Sequence, residues 1–238
     1  VDISKMSIQD GKKSNFCICV TEDKVSGKEF ISKPGDFLQI TEEEIDEKFF
    51  SSTRMMHVAL ITPAVAKACD IVHKSGGKIS VDANYYRPYT YDYYDKIDIF
   101  IGSELYYYSF CQDKGLNPKE YSKNMFLLQS YGPEIVIFTF GPDGCRGIYE
   151  DKYFEMPAFK VDVMDTTGAG DVFHGAFDYA YLQCWDVEKC ALFCAKSRST
   201  HKFLCPQRQN NLLKHRKQMK KTCILKGDNC HKDNQKGL

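Results

Sequence analysis

The stretch His57–Val81 reads HVALITPAVAKACDIVHKSGGKISV and contains one complete strand–helix–strand unit. An apolar strand over His57–Ile61 is followed by a helix over Pro63–His73, which has a proline at its first position. The glycine pair at 76 and 77 ends that helix, and Lys78–Val81 forms the next strand. Because two strands joined through a helix run parallel in one sheet, the stretch predicts an α/β protein.

The same alternation continues toward the carboxyl terminus. Further strands are predicted over Ile97–Ile101 and Glu134–Phe140, with helices ending near Cys111 and covering Pro118–Gln129. The continuous apolar run at 134–140 is typical of a strand that is buried on both faces. The pattern therefore predicts a mostly parallel central sheet with helices on both faces, and ligand binding at the carboxyl ends of its strands.

The residues before this region predict a β hairpin. Phe16–Val20 and Lys28–Ser32 resemble two short strands, and the turn between them contains Gly27. We expect this hairpin to project from the main sheet as a partial lid. Thr41 followed by Glu44 matches a capping box that opens a short acidic helix.

The composition is that of a globular protein, with 238 residues of which 43% are hydrophobic and 27% charged. No apolar stretch approaches the roughly 18–20 residues of a membrane helix, and no leader matches a signal peptide, so we expect a soluble protein without a membrane partner. The eleven cysteines are odd in number and include no C-x-x-C pair, which argues against a disulfide framework and a zinc ribbon. We therefore expect reduced thiols and a cytoplasmic location.

The formal net charge of zero hides an asymmetry along the chain. From Lys196 to the end there are twelve Lys and Arg residues and two Asp residues, so this segment carries +10 and residues 1–195 carry −10. A basic tail of this kind can bind nucleic acid or an acidic surface. A solvated or disordered end is the alternative that we favour, because the segment is poor in apolar residues and nucleic-acid motifs.

The run D-T-T-G-A-G-D at 165–171 carries the strongest chemical signal. Gly168, Ala169 and Gly170 have little or no side chain and precede an amphipathic helix, so their backbone N–H groups can converge on an anion at the helix N-terminus. Asp171 at this helix start is placed to accept a proton from an attacking hydroxyl, help that is typically worth about 10²–10⁴-fold. A glycine loop with an aspartate cap is the structural alternative, but the complete run favours phosphoryl transfer.

This run resembles the C-terminal signature of the ribokinase-like (PfkB) family of carbohydrate kinases, and the resemblance extends over about residues 1–194. It implies a ribokinase-like three-layer fold in which Asp171 is the catalytic base. It also implies that Gly168, Ala169 and Gly170 form the anion hole for the γ-phosphate. Asp165 and Thr167 would help to hold a monovalent cation, although Asp165 could equally brace the loop.

Two further segments are similar to this family. The segment T-F-G-P-D-G at 139–144 resembles its nucleotide turn, which makes Thr139, Gly141 and Gly144 candidate nucleotide contacts. A simple β turn is the alternative there. The segment D-A-N-Y-Y-R-P at 82–88 resembles the D-x-N-x-R-P segment of sugar and sugar-acid kinases, which makes Asn84 and Arg87 candidate contacts to substrate or phosphate. One extra residue precedes Arg87. Within the family, the chain as a whole is most similar to fructokinases or 2-keto-3-deoxygluconate kinases.

The sequence also departs from the family pattern. Where the family carries N-x-x-E or S-x-x-E, this chain has Ser103-Glu104-Leu105-Tyr106, so water-mediated Mg²⁺ binding would depend on Glu104 alone. The chain starts within the family pattern, and we expect its first strand and most sugar-recognition segments to be missing. Charged residues from about 196 onward replace small apolar ones, which suggests foreign or divergent sequence rather than a functional basic tail.

These observations predict three regions and one leading function. We expect a partial lid hairpin over 1–38, an incomplete nucleotide- and sugar-binding α/β domain over 39–195, and a basic, divergent or disordered segment over 196–238. The leading hypothesis is ATP-dependent phosphorylation of a sugar or sugar-acid hydroxyl, with ATP, Mg²⁺ and K⁺ as cofactors and a homodimer as the assembly. The alternatives are a catalytically silent relative that binds nucleotide or a partner, and a nucleic-acid-binding protein, which we consider least.

Overall fold

A computed structural model describes residues 4–5, 10–22, 25–36, 40–160 and 167–201 of the chain. These residues form a two-stranded antiparallel sheet of β1 (Phe16–Glu22) and β2 (Val25–Lys33), and a separate six-stranded sheet. The strands of the larger sheet, which are adjacent in chain order, are β3 (Met55–Val58), β4 (Lys78–Ala83), β5 (Ile99–Ser103), β6 (Ile135–Thr139), β7 (Cys145–Tyr149) and β8 (Lys152–Met156).

Six α-helices accompany these strands within the described residues. They are α1 (Glu47–Phe50), α2 (Pro63–Lys74), α3 (Glu104–Asp113), α4 (Tyr121–Gln129), α5 (Ala169–Leu182) and α6 (Val187–His201). Short 3-10 helices cover Glu42–Glu44, Pro88–Lys96 and Gly141–Asp143. Thr41 and Glu44 form the predicted capping box at the first of these.

Strands β3 to β6 are parallel to their neighbours, whereas β7 and β8 are antiparallel. The prediction of a mostly parallel α/β sheet is therefore confirmed, as is the N-terminal hairpin. The antiparallel extension was not predicted. It has a simple cause, because the segment 140–144 between β6 and β7 is too short for the crossover that a parallel strand requires.

Alternating residues of the central strands face two different helical layers. Ile99, Ile101 and Ile137 pack in one core with residues of α5 and α6. Phe100 and Phe138, which alternate with them, pack in a second core with residues of α2, α3 and α4. The period-two alternation of buried strands thus produces the three layers, with the sheet in the middle.

Some boundaries differ from the expectations. Strand β3 ends at Val58 and not at Ile61, because the chain turns toward Thr62, whose hydroxyl accepts a hydrogen bond from Val65 N (3.3 Å) and caps α2. Helix α6 continues through the expected boundary at 195. Residues 202–238 lie outside the described residues, so the division into three regions stays a prediction.

The cysteines only partly match the expectation of reduced thiols. Free thiols are found at Cys17, Cys69, Cys111, Cys145, Cys190 and Cys194. Cys184 is disulfide-bonded, so the expectation is wrong at this position. Counts and spacings of cysteines cannot show which thiols the fold brings together. Within the described ranges, every helix is too short or too polar to cross a bilayer.

Candidate active site

A cleft of about 350 Å³ opens at the carboxyl ends of β4, β5 and β6, against the N-terminus of α5. This is the edge at which ligands bind in parallel α/β sheets. Six of the site residues that the sequence predicted line this cleft: Asn84, Thr139, Thr167, Gly168, Gly170 and Asp171. Asp82, Gly102, Ser103 and His174 complete the lining.

The N-terminus of α5 presents backbone donors to the cleft. Gly168 is the N-cap and has a left-handed conformation (φ 73°), which glycine adopts without strain. The first intrahelical hydrogen bond runs from Val172 N to Gly168 O (3.0 Å). The N–H groups of Ala169, Gly170 and Asp171 precede it and therefore have no acceptor inside the helix. Asp171 is the third helical residue, with an exposed side chain, so the cap is Gly168 and not an aspartate.

Two hydroxyls organise the strand ends on the other side of the cleft. Ser103 Oγ donates to Asn84 O (2.8 Å) and accepts from Tyr106 N (3.2 Å), so it joins the loop after β4 to the start of α3. Thr139 Oγ1 donates to Gly102 O (3.5 Å) at the end of β6. The positions of Asn84 and Thr139 are thus fixed by neighbouring strands.

Sequence reasoning missed a set of paired polar side chains below the cleft. His174 Nε2 lies 3.3 Å from Asp82 Oδ1, and His57 Nδ1 lies 3.0 Å from Asp178 Oδ2 and 3.2 Å from Ser80 Oγ. The two imidazole rings are 5.3 Å apart, so the pairs form one cluster between the sheet and α5. His174 and Asp178 follow Asp171 by three and seven positions on one helix face. Polar residues on that otherwise apolar face were the signal that could have revealed them.

The cluster favours the charged form of Asp82. Burial opposes ionisation of Asp82, but the hydrogen bond from His174 and the charges of His174 and His57 outweigh burial, so the pKa of Asp82 lies below its ordinary value. The hydrogen bond to Asp178, with smaller contributions from Asp82 and Asp171, raises the pKa of His57 against the opposing effect of burial. The floor of the cleft is therefore lined by two imidazole–carboxylate pairs.

We expect this arrangement to make stability depend on pH through His57. Because the folded state raises the pKa of His57, its stabilisation is complete below about pH 6.5 and is lost as the pH rises through the folded value. In His57→Gln, this decrease above about pH 6.5 should disappear. Urea unfolding of both proteins across that range measures the effect, and parallel curves of unfolding free energy against pH would contradict it.

Other predicted residues lie outside the lining of the cleft. Ala169 is buried in the first turn of α5, and Gly141 and Gly144 form the turn after β6. Arg87 lines a neighbouring pocket. Glu104 is the exposed first residue of α3, and Tyr106, at the position where the family has a second glutamate, is buried. Asp165, predicted to hold a cation together with Thr167, lies outside the described residues.

A family model described as pfkB family carbohydrate kinase matches residues 1–197. The chain belongs to this family. The pfkB match covers both sheets and α5, and it therefore includes the residues that line the cleft.

A curated relative is similar to this chain in sequence, and solved structures share its fold. The chain is 27% identical over 171 residues to the 5-dehydro-2-deoxygluconokinase of Clostridium perfringens, covering 63% of this chain and 49% of the relative. It thus spans about half the length of that relative. A ribokinase structure from Thermotoga maritima matches with a TM-score of 0.65 and 22% identity, covering 81% of this chain and 64% of the other. A protein from E. coli described as a ribokinase II, solved in complex with ATP and Mg²⁺, matches with a TM-score of 0.60 and 21% identity over 71% of this chain and 59% of the other. The α/β fold is therefore ribokinase-like.

Proposed function

We propose that this pfkB-family chain transfers the γ-phosphoryl group of ATP to a hydroxyl of a sugar or sugar acid. One observation carries the proposal: the exposed carboxylate of Asp171 and the N-terminal N–H groups of α5 face the same cleft. Phosphoryl transfer needs both, since a proton must leave the attacking hydroxyl while negative charge is stabilised on the transferred group.

Each residue then has a definite role. Asp171 takes the proton of the acceptor hydroxyl at its carboxylate. The backbone of Gly168, Ala169 and Gly170 donates hydrogen bonds to phosphate oxygens, aided by the positive end of the α5 dipole. Thr139 would contact the nucleotide at the cleft, and Gly141 and Gly144 would shape the turn beside it. When bound, ATP supplies the phosphoryl group and Mg²⁺ neutralises part of the phosphate charge.

The cleft fits a phosphate group and a weakly held Mg²⁺. A Cβ added at Gly170 would meet no atom within 4 Å, so the backbone there is open to close approach by a ligand. Among the described residues no group of three or more His, Cys, Asp or Glu side chains could hold a metal ion. Mg²⁺ would therefore depend on phosphate oxygens and water, which it accepts readily, with Glu104 as a contributor through water.

A catalytically silent, nucleotide-binding relative is the second candidate. Tyr106 replaces the expected second glutamate and is only 1% exposed, with its hydroxyl hydrogen-bonded to the Tyr94 hydroxyl. It packs in the core that faces α2, α3 and α4, so it offers no ligand to a metal ion at the cleft. If Glu104 alone cannot hold Mg²⁺ through water, the chain would bind the nucleotide without transferring its phosphoryl group.

We also propose a homodimer. On the small sheet, Phe16, Ile18 and Ile31 are 58%, 45% and 62% exposed, and Ile18 is paired with Ile31 across the strands. Apolar side chains clustered on an open two-stranded sheet favour burial against a second copy.

Gly170→Ala is expected to weaken the proposed phosphate contact without destabilising the fold. The methyl group meets no protein atom, and alanine favours the helix, so the free energy of unfolding should stay constant or rise by up to about 1 kcal/mol. ATP affinity should fall about tenfold or more, because the methyl group displaces charge-assisted hydrogen bonds to phosphate. Calorimetric ATP titration measures the affinity, and ADP release with a panel of ketoses, aldoses, sugar acids and their aryl glycosides measures transfer.

Gly175→Ala is the matched control for this variant. Gly175 lies in the same helix, is exposed and also has open space around it, but it does not line the cleft. We expect unchanged ATP affinity and ADP release in this control. Unchanged ATP affinity in Gly170→Ala would reject the anion-hole role, and ADP release at the acceptor-free background for the whole panel would favour the silent relative.

A further inference from the structure

A second pocket of about 290 Å³ opens beside the cleft. Asp82 and Asn84 line both spaces, so the pocket and the cleft meet at the carboxyl end of β4. The pocket lies on the opposite side of the sheet from α5, among the loop after β3, the 3-10 helix at 88–96 and the start of α3. We call it the aromatic pocket because its lining includes Tyr85, Tyr93, Tyr94, Phe100 and Tyr106.

The floor of the aromatic pocket is apolar although it contains tyrosines. Tyr94, Phe100 and Tyr106 are each 1% exposed or less, and their rings pack edge to face at centroid distances of 5.9 and 5.1 Å. The hydroxyls of Tyr94 and Tyr106 are hydrogen-bonded to each other. A ligand on this floor would therefore contact ring carbon atoms, and its own polar groups would find few partners there.

Both apolar and polar side chains lie among the exposed residues of the aromatic pocket. Leu60 and Tyr85 are large apolar side chains that are 40% and 61% exposed at the mouth. Asn84, which also lines the cleft, and Arg87 add polar groups to the lining. A mostly apolar pocket with a few polar groups on one side is the usual form of a small-molecule site. Its volume exceeds the roughly 150 Å³ of an apolar cavity known to accept benzene.

We propose that the aromatic pocket binds an aromatic or apolar substituent of the acceptor, so that the substrate is a sugar derivative and not a free sugar. The inference rests on the proposed function. The sugar part would lie by Asp82 and Asn84 with one hydroxyl directed toward Asp171, and the substituent would cover the aromatic floor. A free sugar in this pocket would leave hydroxyl groups without partners, which is unfavourable.

The binding affinities of matched pairs of glycosides test this inference without requiring phosphoryl transfer. The probes are the phenyl and methyl β-glycosides of glucose, galactose and ribose, titrated into the chain by calorimetry. At least one phenyl glycoside should bind about tenfold tighter than its methyl partner, because a ring's apolar surface is buried. Its heat-capacity change on binding should also be more negative.

Ala59→Trp should remove the phenyl advantage, because Ala59 lies in the exposed loop at the pocket and an indole would fill the space. Leu105→Trp is the control, since Leu105 is 58% exposed and lines neither space. Equal affinities within all three pairs, including no measurable binding, or a phenyl advantage that persists in Ala59→Trp, would overturn the inference. Asp171→Asn should keep the phenyl advantage, so a failure of phosphoryl transfer is distinguishable from a failure of the pocket.

Discussion

Asp171→Asn is expected to lower the turnover number for ADP release by about 10²-fold or more on the best acceptor. Asparagine has nearly the same volume and stays compatible with the third position of α5, but its amide cannot take a proton from the hydroxyl. The backbone donors at Gly168–Gly170 remain in place, so ATP affinity should stay within a few-fold. The loss should therefore lie in kcat and not in nucleotide binding.

Asp186→Asn is the matched control for this substitution. Asp186 precedes α6 and accepts a hydrogen bond from Lys189 N (2.8 Å), a capping role that asparagine can keep. It does not line the cleft, so turnover should be unchanged. Parental turnover in Asp171→Asn would show that Asp171 is not the base. Fluorescence-detected urea unfolding of each variant verifies that any loss of turnover occurs in a folded protein.

Gly144→Ala is expected to cause the largest loss of stability, about 3 kcal/mol or more. Gly144 has φ 89° and ψ −139°, a region that is almost exclusive to glycine, and a Cβ there would lie 2.0 Å from Met156 O. Backbone atoms cannot move aside as a flexible side chain can. Gly144 O also accepts from Phe140 N (2.8 Å), so the clash would open the turn between β6 and β7. Urea unfolding of the parent and the variant measures the loss.

Gly115→Ala separates the clash from the backbone angle. Gly115 has φ 62°, but a Cβ there would meet no atom within 4 Å. Only the left-handed conformation is penalised, so we expect a loss of about 1–2 kcal/mol. Similar losses at Gly144 and Gly115 would mean that the contact with Met156 O is relieved by backbone movement.

The elements that sequence predicts well are those determined by neighbouring residues. The unit at 57–81, the buried strand at β6 and the amphipathic helix after Gly170 follow from hydrophobic period, caps and glycine stops, which act within a few residues. The grouping of Asn84, Thr139 and Asp171 was also predictable in outline, because carboxyl ends of parallel strands meet at one edge.

The pairings across the molecule were decided by tertiary structure alone. His174 and Asp82 are 92 positions apart, and only the packing of α5 on the sheet brings them to 3.3 Å. Tertiary packing also decides that Arg87 lines the aromatic pocket and that Glu104 lies outside the cleft lining. Sequence by itself thus determined the βαβ order and the glycine-rich helix start, because these depend on local geometry. The depth of the cleft, the charged cluster beneath it and the aromatic pocket depend on which faces pack together, and that is settled by burial over the whole fold.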